Sequence, residues 1–426
     1  YDTLEPLFRG KARTQDAVVI AIDDAALDAL GRWPWSRAVH ARLIDRLSAA
    51  GVSAIGMPIL FAEPSADDGQ LAAAIAASGR VVLPVAPRQA GDAGGVADLL
   101  PTAELGSAAA MLGHVDVELD ADALVRRTYS RAGSGTPRWE ALALATLHLS
   151  SPAGHAAAVG QQAQSGVRVR STASSPLWVR EGELLLPYPG PDTRPPRISY
   201  HSLLERPELA EQLRGKAVFV GPTANGLDAS LPTPDSRHSQ PMAAVEFHAR
   251  AYDALHGGLV YRSAGSSATL SFALALLALA VVVHARIQSP VIAAAAVASL
   301  ALLPLAASGM TLNAWQLWVP PTPALASLLS GSLLWFGLYL QRTRGRLRHV
   351  QQDADATLRS IADAVFTIDE STRVTLTNPV AERLTGLSRD EAQGSLVGDL
   401  VREHTGQTPQ IVGAVLACLK NRQTIR

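Results

Sequence analysis

The run "SATLSFALALLALAVVV" at residues 267–283 decides the class of this chain, because it is almost wholly apolar and carries no charge. Two similar runs follow, "PVIAAAAVASLALLPLAAS" at 290–308 and "PALASLLSGSLLWFGLYL" at 323–340. Each approaches the roughly 20 residues that a helix needs to cross about 30 Å of hydrocarbon. Core helices of a soluble domain are the alternative, but three such runs side by side are uncommon there. The sequence therefore predicts three membrane spans within residues 265–340.

The charges that flank these runs predict their orientation. "QRTRGRLRH" after the last run holds four arginines, whereas "TLNAWQLWVPPT" between the second and third runs holds no Lys or Arg. Positive segments stay in the cytoplasm, so residues from 341 onward are expected inside and residues 1–264 outside. Trp315 and Trp318 are expected in an aromatic belt at the outer membrane interface. The start "YDTLEPLF" has neither a Met nor an apolar run, so we expect a missing N-terminal signal or anchor.

Composition limits the number of domains, the kinds of partner and the use of disulfides. The chain has 426 residues, enough for two or three domains. Its 37 basic and 38 acidic residues nearly cancel, so no overall field favours nucleic acid as a partner. The single cysteine, Cys418, falls on the cytoplasmic side, so the outer domain is expected to fold without disulfides.

The outer part begins with a β-α-β pattern. "AVVIAIDD" at 17–24 and "VSAIGMPILF" at 52–61 have the composition of buried strands. Between them, "SRAVHARLIDRLSAAG" has helical spacing, with Ser36 as a possible N-cap and Gly51 just past the end. Two parallel strands joined by a helix are expected, which is typical of an α/β domain. Further along, "LGHVDVELDADALVRRTYS" at 112–130 is interpreted as a polar-tipped hairpin.

Candidate ligand contacts lie where strands of this domain end. Asp23 and Asp24 follow the first strand, and ligands of open α/β sheets bind at that edge. Capping of the next helix is an equally good explanation of either aspartate. Arg37 could reach the same edge, as a ligand contact or in an ion pair with one of these aspartates. Thr223 and Asn225, which follow the strand in "GKAVFVGPTAN", complete the set.

The turn "GRWPW" at 31–35 is interpreted as structural. Pro34 restricts the backbone, and Trp33 and Trp35 are large enough to fix a strand-to-helix turn by packing rather than by touching a ligand. Gly215 and Lys216 precede a strand, so they do not form a nucleotide-binding loop. No metal site is predicted, because the histidines, among them His238, His248 and His256, lack ligand spacing.

The order of these elements resembles the type-2 CHASE domain, a bacterial extracytoplasmic sensory domain. The stretches that carry the resemblance are "VVIAIDDAALDALGRWPWSRAVHARLIDRLSAAGVSAIGMPILFAEPS", "LGHVDVELDADALVRR", "LRGKAVFVGPTANGLDASLPTPDS" and "MAAVEFHARAYDAL". The resemblance implies a periplasmic sensor of residues 1–264, with one membrane anchor before it and three spans after it. The family usually has aspartates where this chain has Pro58 and Ala229, which implies a weaker or different ligand.

The cytoplasmic end continues as a predicted helix and a small domain. Leu340, Leu347, Ala354 and Ile361 recur every seven residues, so the linker 341–358 is either a parallel coiled coil or an ordinary amphipathic connector. The stretch "AVFTIDESTRVTLTNPVAERLTGLSRDEAQG" resembles the front half of a PAS domain, expected over 359–426 and incomplete.

Capping residues support the PAS interpretation. Asn378 and Pro379 are predicted to begin a helix that ends at Gly386, and Ser388 with Glu391 has the pattern of a capping box. The sequence does not identify a cofactor, which stays unknown. Cys418 lacks the surroundings of a flavin-reactive cysteine, and His404 is a poor haem ligand.

These features predict a multi-domain membrane protein with an α/β extracytoplasmic sensor, three transmembrane helices and an incomplete α+β PAS domain. It is expected to be a homodimer in the bacterial inner membrane, in contact with lipid, that detects an unknown ligand or protein outside. The sequence contains no GGDEF motif and no kinase histidine box, and its one EAL tripeptide, at residues 140–142, lies in the predicted outer domain. The resemblance implies cyclic di-GMP synthesis or degradation as the output. A docking module of the cell envelope, or the sensor of a histidine kinase or nucleotide cyclase, is the alternative.

Overall fold

The computed structural model of the chain forms two compact units, Tyr1–Leu329 and Ser330–Arg426. The residues that it describes are 2, 15–90, 95–162, 168–169, 177–188, 194–227, 230–237, 241–287, 289–369, 371–397 and 399–400.

A seven-stranded sheet lies at the centre of the described part of the first unit. Its strands are β1 (Ala17–Ile22), β2 (Ala54–Gly56), β3 (Val81–Ala90), β4 (Gly95–Leu99), β5 (Met111–His114), β10 (Arg197–Ser199) and β11 (Ala217–Pro222). The order is β10-β1-β11-β2-β3, after which β3 pairs with both β4 and β5. All pairs are parallel except β3 with β4. The predicted parallel pattern of β1 and β2 is confirmed, although β11 lies between them.

Helices cover both faces of this sheet. They are α1 (Asp24–Leu30), α2 (Arg37–Ala50), α3 (Asp68–Ser78), α4 (Ala103–Ala108), α5 (Leu142–Ser150), α6 (Pro152–Gln162), α7 (Tyr200–Glu205), α8 (Glu208–Glu211) and α9 (Ala244–His256). Alternate residues of β1 enter different cores: Val18 and Ile20 pack with α2 and α3, whereas Val19 packs with α5 and α9. Strands that are buried on both faces read as continuous apolar runs, which is why "AVVIAI" shows no polar alternation.

The predicted hairpin at 112–130 is wrong. β5 instead pairs in parallel with β3, and β6 (Arg127–Ser134) joins a second, antiparallel sheet with the order β7-β6-β9-β8. The other strands of that sheet are β7 (Trp139–Glu140), β8 (Arg168–Val169) and β9 (Trp178–Leu185). A separate antiparallel pair is formed by β12 (Ser230–Leu231) and β13 (Met242–Ala243). The alternation "VDVEL" is typical of a strand, but its acidic residues bind an arginine: Asp116 and Glu118 contact Arg180 at 2.6 and 3.2 Å.

Three helices from residue 266 onward are long and apolar enough to cross a membrane, as the sequence predicts. They cover Ser266–Arg286, Pro290–Trp315 and Thr322–Val350. In detail, the helices are α10 (Ser266–Arg286), α11 (Pro290–Leu300), α12 (Leu302–Trp315) and α13 (Thr322–Ser360). The second span is interrupted at Ala301, because Pro304 has no N–H to bond the carbonyl of Leu300.

Two short strands, one on either side of the first two membrane helices, pair with each other. β14 (Arg262–Ser263) precedes α10 and pairs in parallel with β15 (Leu317–Trp318), which follows α12. Trp318 is consequently buried, 8% exposed, against Leu185, Tyr261 and Leu312. The Trp318 side chain therefore packs within the protein, whereas Trp315 is 66% exposed, and the interfacial belt stays a prediction.

The second unit has the elements that its sequence predicts. They are β16 (Phe366–Ile368), β17 (Val374–Thr377), α14 (Pro379–Thr385) and α15 (Arg389–Ala392). Asn378 caps α14 by accepting from the Ala381 N–H at 2.9 Å, and Gly386 ends that helix in the left-handed conformation. The capping box of Ser388 and Glu391 is also confirmed. His404 and Cys418 lie outside the described residues.

Asn378 bonds the backbone before β16 as well as capping α14. Replacing it with alanine is therefore expected to destabilise the second unit by about 2–3 kcal/mol. The side chain is fully buried, accepts from the Val365 N–H at 3.0 Å and donates to the Asp363 carbonyl at 2.8 Å. Amide hydrogen exchange of β16 and β17 in the full chain measures the change. Ser388→Ala, at an exposed cap, is the control, and an equal effect of both substitutions would contradict this role of Asn378.

Candidate functional site

The predicted ligand residues at the end of β1 have structural partners. Asp23 is the N-cap of α1: its Oδ1 accepts from the Ala26 N–H at 2.9 Å and from the Ser199 hydroxyl at 2.8 Å. Asp24 is the first residue of that helix and is exposed. The capping geometry that the sequence offered as an alternative is therefore present for Asp23, which also links β1 to the end of β10.

Arg37 points to a different part of the domain from the one expected. It pairs with Asp68 at 3.1 Å, donates to the Glu63 carbonyl at 3.1 Å and lies 4.5 Å above the ring of Phe61. The pairing with Asp23 or Asp24 is wrong, because the first turn of α2 faces the segment that leads into α3. The guanidinium is already held by an acidic partner and an aromatic face.

The turn at 31–35 is a packed aromatic cluster. Trp35 is 5% exposed, donates from Nε1 to the Gly31 carbonyl at 2.8 Å and packs 5.0 Å from the ring of Tyr200. Trp33 lies edge-on to Trp35 at 5.3 Å, and its peptide bond to Pro34 is cis. These contacts join the turn to α7, which is the arrangement expected of a structural plug.

A polar cleft opens at the carboxyl end of β11, where the chain leaves the central sheet. Thr223 and Ala224 both donate their N–H groups to the Ile22 carbonyl at 3.0 Å, so the cleft adjoins the end of β1 as well. Its lining residues are Arg194, Arg197, Pro222, Thr223, Ala224, Asn225, Ser230, Pro241, Ala243 and Glu246. The structure thus brings two predicted ligand residues, Thr223 and Asn225, into one site, and this lining does not include Asp23, Asp24 or Arg37.

Two arginines converge on one buried carboxylate in this cleft. The Glu246 side chain is 0% exposed and contacts Arg197 through Nε, with Arg194 at 3.9 Å. Glu246 also accepts from the Ala243 N–H at 3.2 Å and so caps the start of α9. Arg197 remains 43% exposed. Because a guanidinium has five N–H donors, its contact through Nε leaves donors for a ligand.

The charge of the cleft follows from this arrangement. Two guanidinium groups face one carboxylate, and Thr223, Asn225 and Ser230 add groups that donate hydrogen bonds without adding charge. The N-terminal end of α9, which carries a partial positive charge, lies beneath the same residues. The cleft therefore has an excess of positive charge and of hydrogen-bond donors, which suits an anion.

A glycine lets α9 approach closely enough to place Glu246 there. A Cβ added at Gly221 would lie 2.9 Å from Cβ of Val245, a distance that no ordinary contact allows. The missing side chain on β11 therefore lets the first turn of α9 pack directly on the strand.

The comparison with known protein families agrees with this architecture. The family model of the CHASE2 domain matches residues 1–287, well over half of the chain. The chain belongs to the CHASE2 domain family. The PAS fold matches residues 352–424. Comparisons with curated proteins and with solved structures gave no significant match.

Membership of the CHASE2 family establishes the broad role of the chain. A CHASE2 domain is a sensory domain outside the cytoplasm, and here it is followed by three apolar helices and a PAS domain. The protein is thus a membrane protein and a signalling sensor module.

One of the two positions at which the resemblance leads us to expect an aspartate lies beside this edge of the sheet. Pro58 follows β2, and its Cγ is 3.5 Å from the point that a Cβ on Gly221 would occupy. Proline adds no charge, so the net positive charge of the neighbouring cleft is not offset from this side. Ala229, the second position, lies outside the described residues.

Of the CHASE2 histidines that the sequence singled out, His248 and His256 are among the residues that the structure describes. Burial lowers the pKa of His248 to about 3, so this imidazole is neutral. His256 Nδ1 lies 3.4 Å from Asp16, and His238 lies outside the described residues.

Sequence reasoning missed the three charged residues of the cleft. Arg194 and Arg197 stand in "TRPPRIS", which has no periodicity, and Glu246 is far from them in the chain. The one available signal was Glu246 itself, an acidic residue within the apolar start of "AVEFHARAYDAL". A buried charge of this kind needs a partner.

Proposed function

We propose that this chain is the input part of a bacterial receptor whose CHASE2 cleft binds a small anion with a carboxylate or phosphate group. The observation that carries this proposal is the pair of arginines, Arg194 and Arg197, gathered on the buried carboxylate of Glu246. The order of a CHASE2 domain, membrane helices and a PAS domain supports the receptor role.

The donors of the cleft favour an anion with two or more oxygens. Arginine binds carboxylate and phosphate through two parallel hydrogen bonds, which a halide cannot accept in the same way. Arg197 offers such a fork at a partly exposed position, while Glu246 holds its Nε. Thr223 and Asn225, at the end of β11, supply further donors to a third oxygen.

Binding of an anion would change the contacts of α9, the helix that leads to the membrane. Glu246 lies in the first turn of α9, and the chain runs from α9 through β14 into the first span. An anion that binds Arg197 weakens the ion pair between Arg197 and Glu246. This change favours one arrangement of α9 over another. A ligand with such a difference in affinity shifts the population of the two states.

The receptor is proposed to sit in the inner membrane, with residues 1–264 in the periplasm and 341–426 in the cytoplasm, and to act as a homodimer. The arginine-rich segment after the third span supports this orientation. Leu340, Leu347 and Val350 are 37%, 60% and 66% exposed on α13, where a second copy would cover them. We propose cyclic di-GMP synthesis or degradation as the output, on the strength of the resemblance alone.

Thermal unfolding of the full chain in lipid nanodiscs tests the cleft. A panel of mono- and dicarboxylates, inorganic phosphate and phosphate esters is added, and an anion that binds only the folded state raises the unfolding midpoint with concentration. Arg197→Ala is expected to weaken that anion about 10- to 100-fold, since a hydrogen bond to a charged group contributes roughly 1.5–3 kcal/mol.

Arg37→Ala is the matched control, because Arg37 pairs with Asp68 and not with the cleft. It lowers the starting midpoint but is expected to keep the full shift. A shift that survives Arg197→Ala, or the absence of a shift with every anion, contradicts the proposed site and directs the search to a protein partner. The output is followed separately, as the cyclic di-GMP concentration in cells that carry the intact receptor with and without the anion.

A further inference from the structure

Three side chains of the CHASE2 domain, of which only His148 is exposed, form a group that the cleft does not use. They are Glu140 at the end of β7, His148 in the last turn of α5 and His155 in the first turn of α6. One ligand atom of each lies within 4.8 Å of the others. His155 Nε2 is 3.1 Å from Glu140 Oε2, and the two imidazole rings stack with their centroids 4.2 Å apart.

Local structure explains why residues so spaced in the sequence meet. Leu142 and Leu147 are fully buried and fix α5 against the core, directly after Glu140. α5 ends at Ser150 and α6 begins at Pro152, so Ser151 alone separates the two helices. The Gly154 N–H donates to the Ser151 hydroxyl at 3.2 Å across this junction. The last turn of α5 and the first turn of α6 are thereby set side by side.

The donor set of this group selects its ligand. Two imidazole nitrogens and one carboxylate oxygen are ligands of Zn²⁺ and of neighbouring transition metals, whereas Mg²⁺ and Ca²⁺ prefer oxygen alone. Bonds of roughly 2.1 Å at tetrahedral angles place ligand atoms about 3.4 Å apart. Glu140 and His155 are already near that separation. His148 is exposed, so a small rotation of its side chain is enough to close the set.

We propose that Glu140, His148 and His155 bind a divalent transition metal, with Zn²⁺ as the preferred ion and a fourth position left to water or a partner's ligand. The site stands apart from the anion cleft and does not rest on it. Both sites contact the same helix, α9. On the metal side, α5 and α6 pack on α9, and Ser150 Oγ lies 2.8 Å from the Tyr252 hydroxyl. A bound metal would clamp β7, α5 and α6 together against α9.

Cobalt titration tests the site, since Co²⁺ has visible absorption bands that report its ligands whereas Zn²⁺ has none. The full chain, without a histidine tag and in nanodiscs, is expected to bind one Co²⁺ per chain with the spectrum of a nitrogen–oxygen site, and Zn²⁺ is expected to displace it. His148→Ala and Glu140→Gln are each expected to weaken Co²⁺ binding by about 100-fold or more, since loss of an outer partner alone costs 10–100-fold.

His201→Ala is the matched control, because His201 pairs with Glu205 at 3.3 Å but is not a member of this group. It is expected to leave Co²⁺ binding unchanged. His148 is exposed, so the metal-free His148→Ala protein should keep the unfolding midpoint of the parent chain. One-to-one Co²⁺ binding that persists in His148→Ala, or a parent chain that gives no bands at micromolar Co²⁺, overturns the proposal.

Discussion

Replacing Arg250 with methionine is expected to lower the free energy of unfolding of the CHASE2 domain by about 3–5 kcal/mol, the usual effect of removing one partner of a buried ion pair. Arg250 lies on α9, and its Nη1 is 2.7 Å from Asp235 Oδ2, with side chains only 6% and 3% exposed. The guanidinium also lies 5.1 Å above the ring of Tyr188. Methionine fills much of the volume but leaves the Asp235 carboxylate buried without that charge. Amide hydrogen exchange of β1 and β11 in the full chain measures the loss.

Two further variants separate this cause from a general effect of losing an arginine. Arg138→Met removes a surface pair, since Arg138 is 55% exposed where it meets Asp98 at 3.2 Å, and it is expected to cost less than about 1 kcal/mol. The double variant Arg250→Met with Asp235→Leu removes both charges and is expected to recover most of the lost stability. If Arg250→Met costs no more than Arg138→Met, the buried pair does not stabilise the fold.

The fold was largely predictable because its signals are local. An apolar run such as "AVVIAI" indicates a strand buried on both faces, and uncharged runs indicate spans, without knowledge of any distant residue. The position of β11 between β1 and β2 was not predictable, since it depends on pairing between segments far apart in the chain. The mistaken hairpin has the same origin. Its alternating pattern was real, but the distant Arg180 determines what the acidic residues do.

The site was less predictable for a related reason. Thr223 and Asn225 could be found because the end of a parallel strand is a general place for ligands. Arg197 could not, because only the folded chain brings its short strand next to β1 and over Glu246. His148 and His155 are close in sequence, yet their meeting depends on a tight turn at Pro152 that no ligand motif describes. Each missed residue owes its role to a contact and not to a pattern.

The carboxyl group of Asp253 is expected to make the stability of the CHASE2 domain depend on pH near neutrality. This partly buried side chain of α9 accepts from the N–H groups of Asp16 and Ala17, at 3.0 and 2.9 Å, and so joins α9 to the start of β1. Loss of solvent raises the pKa of Asp253 to about 7, and the charge of Asp16 acts in the same direction. The two backbone hydrogen bonds and the charge of Arg250 oppose the change. Desolvation is the largest of these effects.

The sign of the effect follows from the pKa in the two states. The unfolded chain binds this proton only below about pH 4, whereas the folded domain holds it up to about pH 7. The contribution of Asp253 to the free energy of unfolding is therefore fully present at low pH and is lost as the pH rises from 4 through 7. The loss is at most about 4 kcal/mol for three pKa units. Asp253→Asn keeps the acceptor oxygen without the titration, so we expect it to be more stable than the parent chain at pH 8 and to lack the decline.

The difference between the parent chain and Asp253→Asn isolates this group from the others. Burial lowers the pKa values of His114 and His248 to about 4 and 3, so these two groups lower the free energy of unfolding as the pH falls. Their contribution is the same in both proteins. Unfolding midpoints of both chains between pH 4 and 8 give the difference curve. Asp16→Asn removes the neighbouring charge and should lower the pKa of Asp253, so the curve should move to lower pH. A flat difference would mean that Asp253 stays ionised, with its two backbone hydrogen bonds outweighing the cost of desolvation.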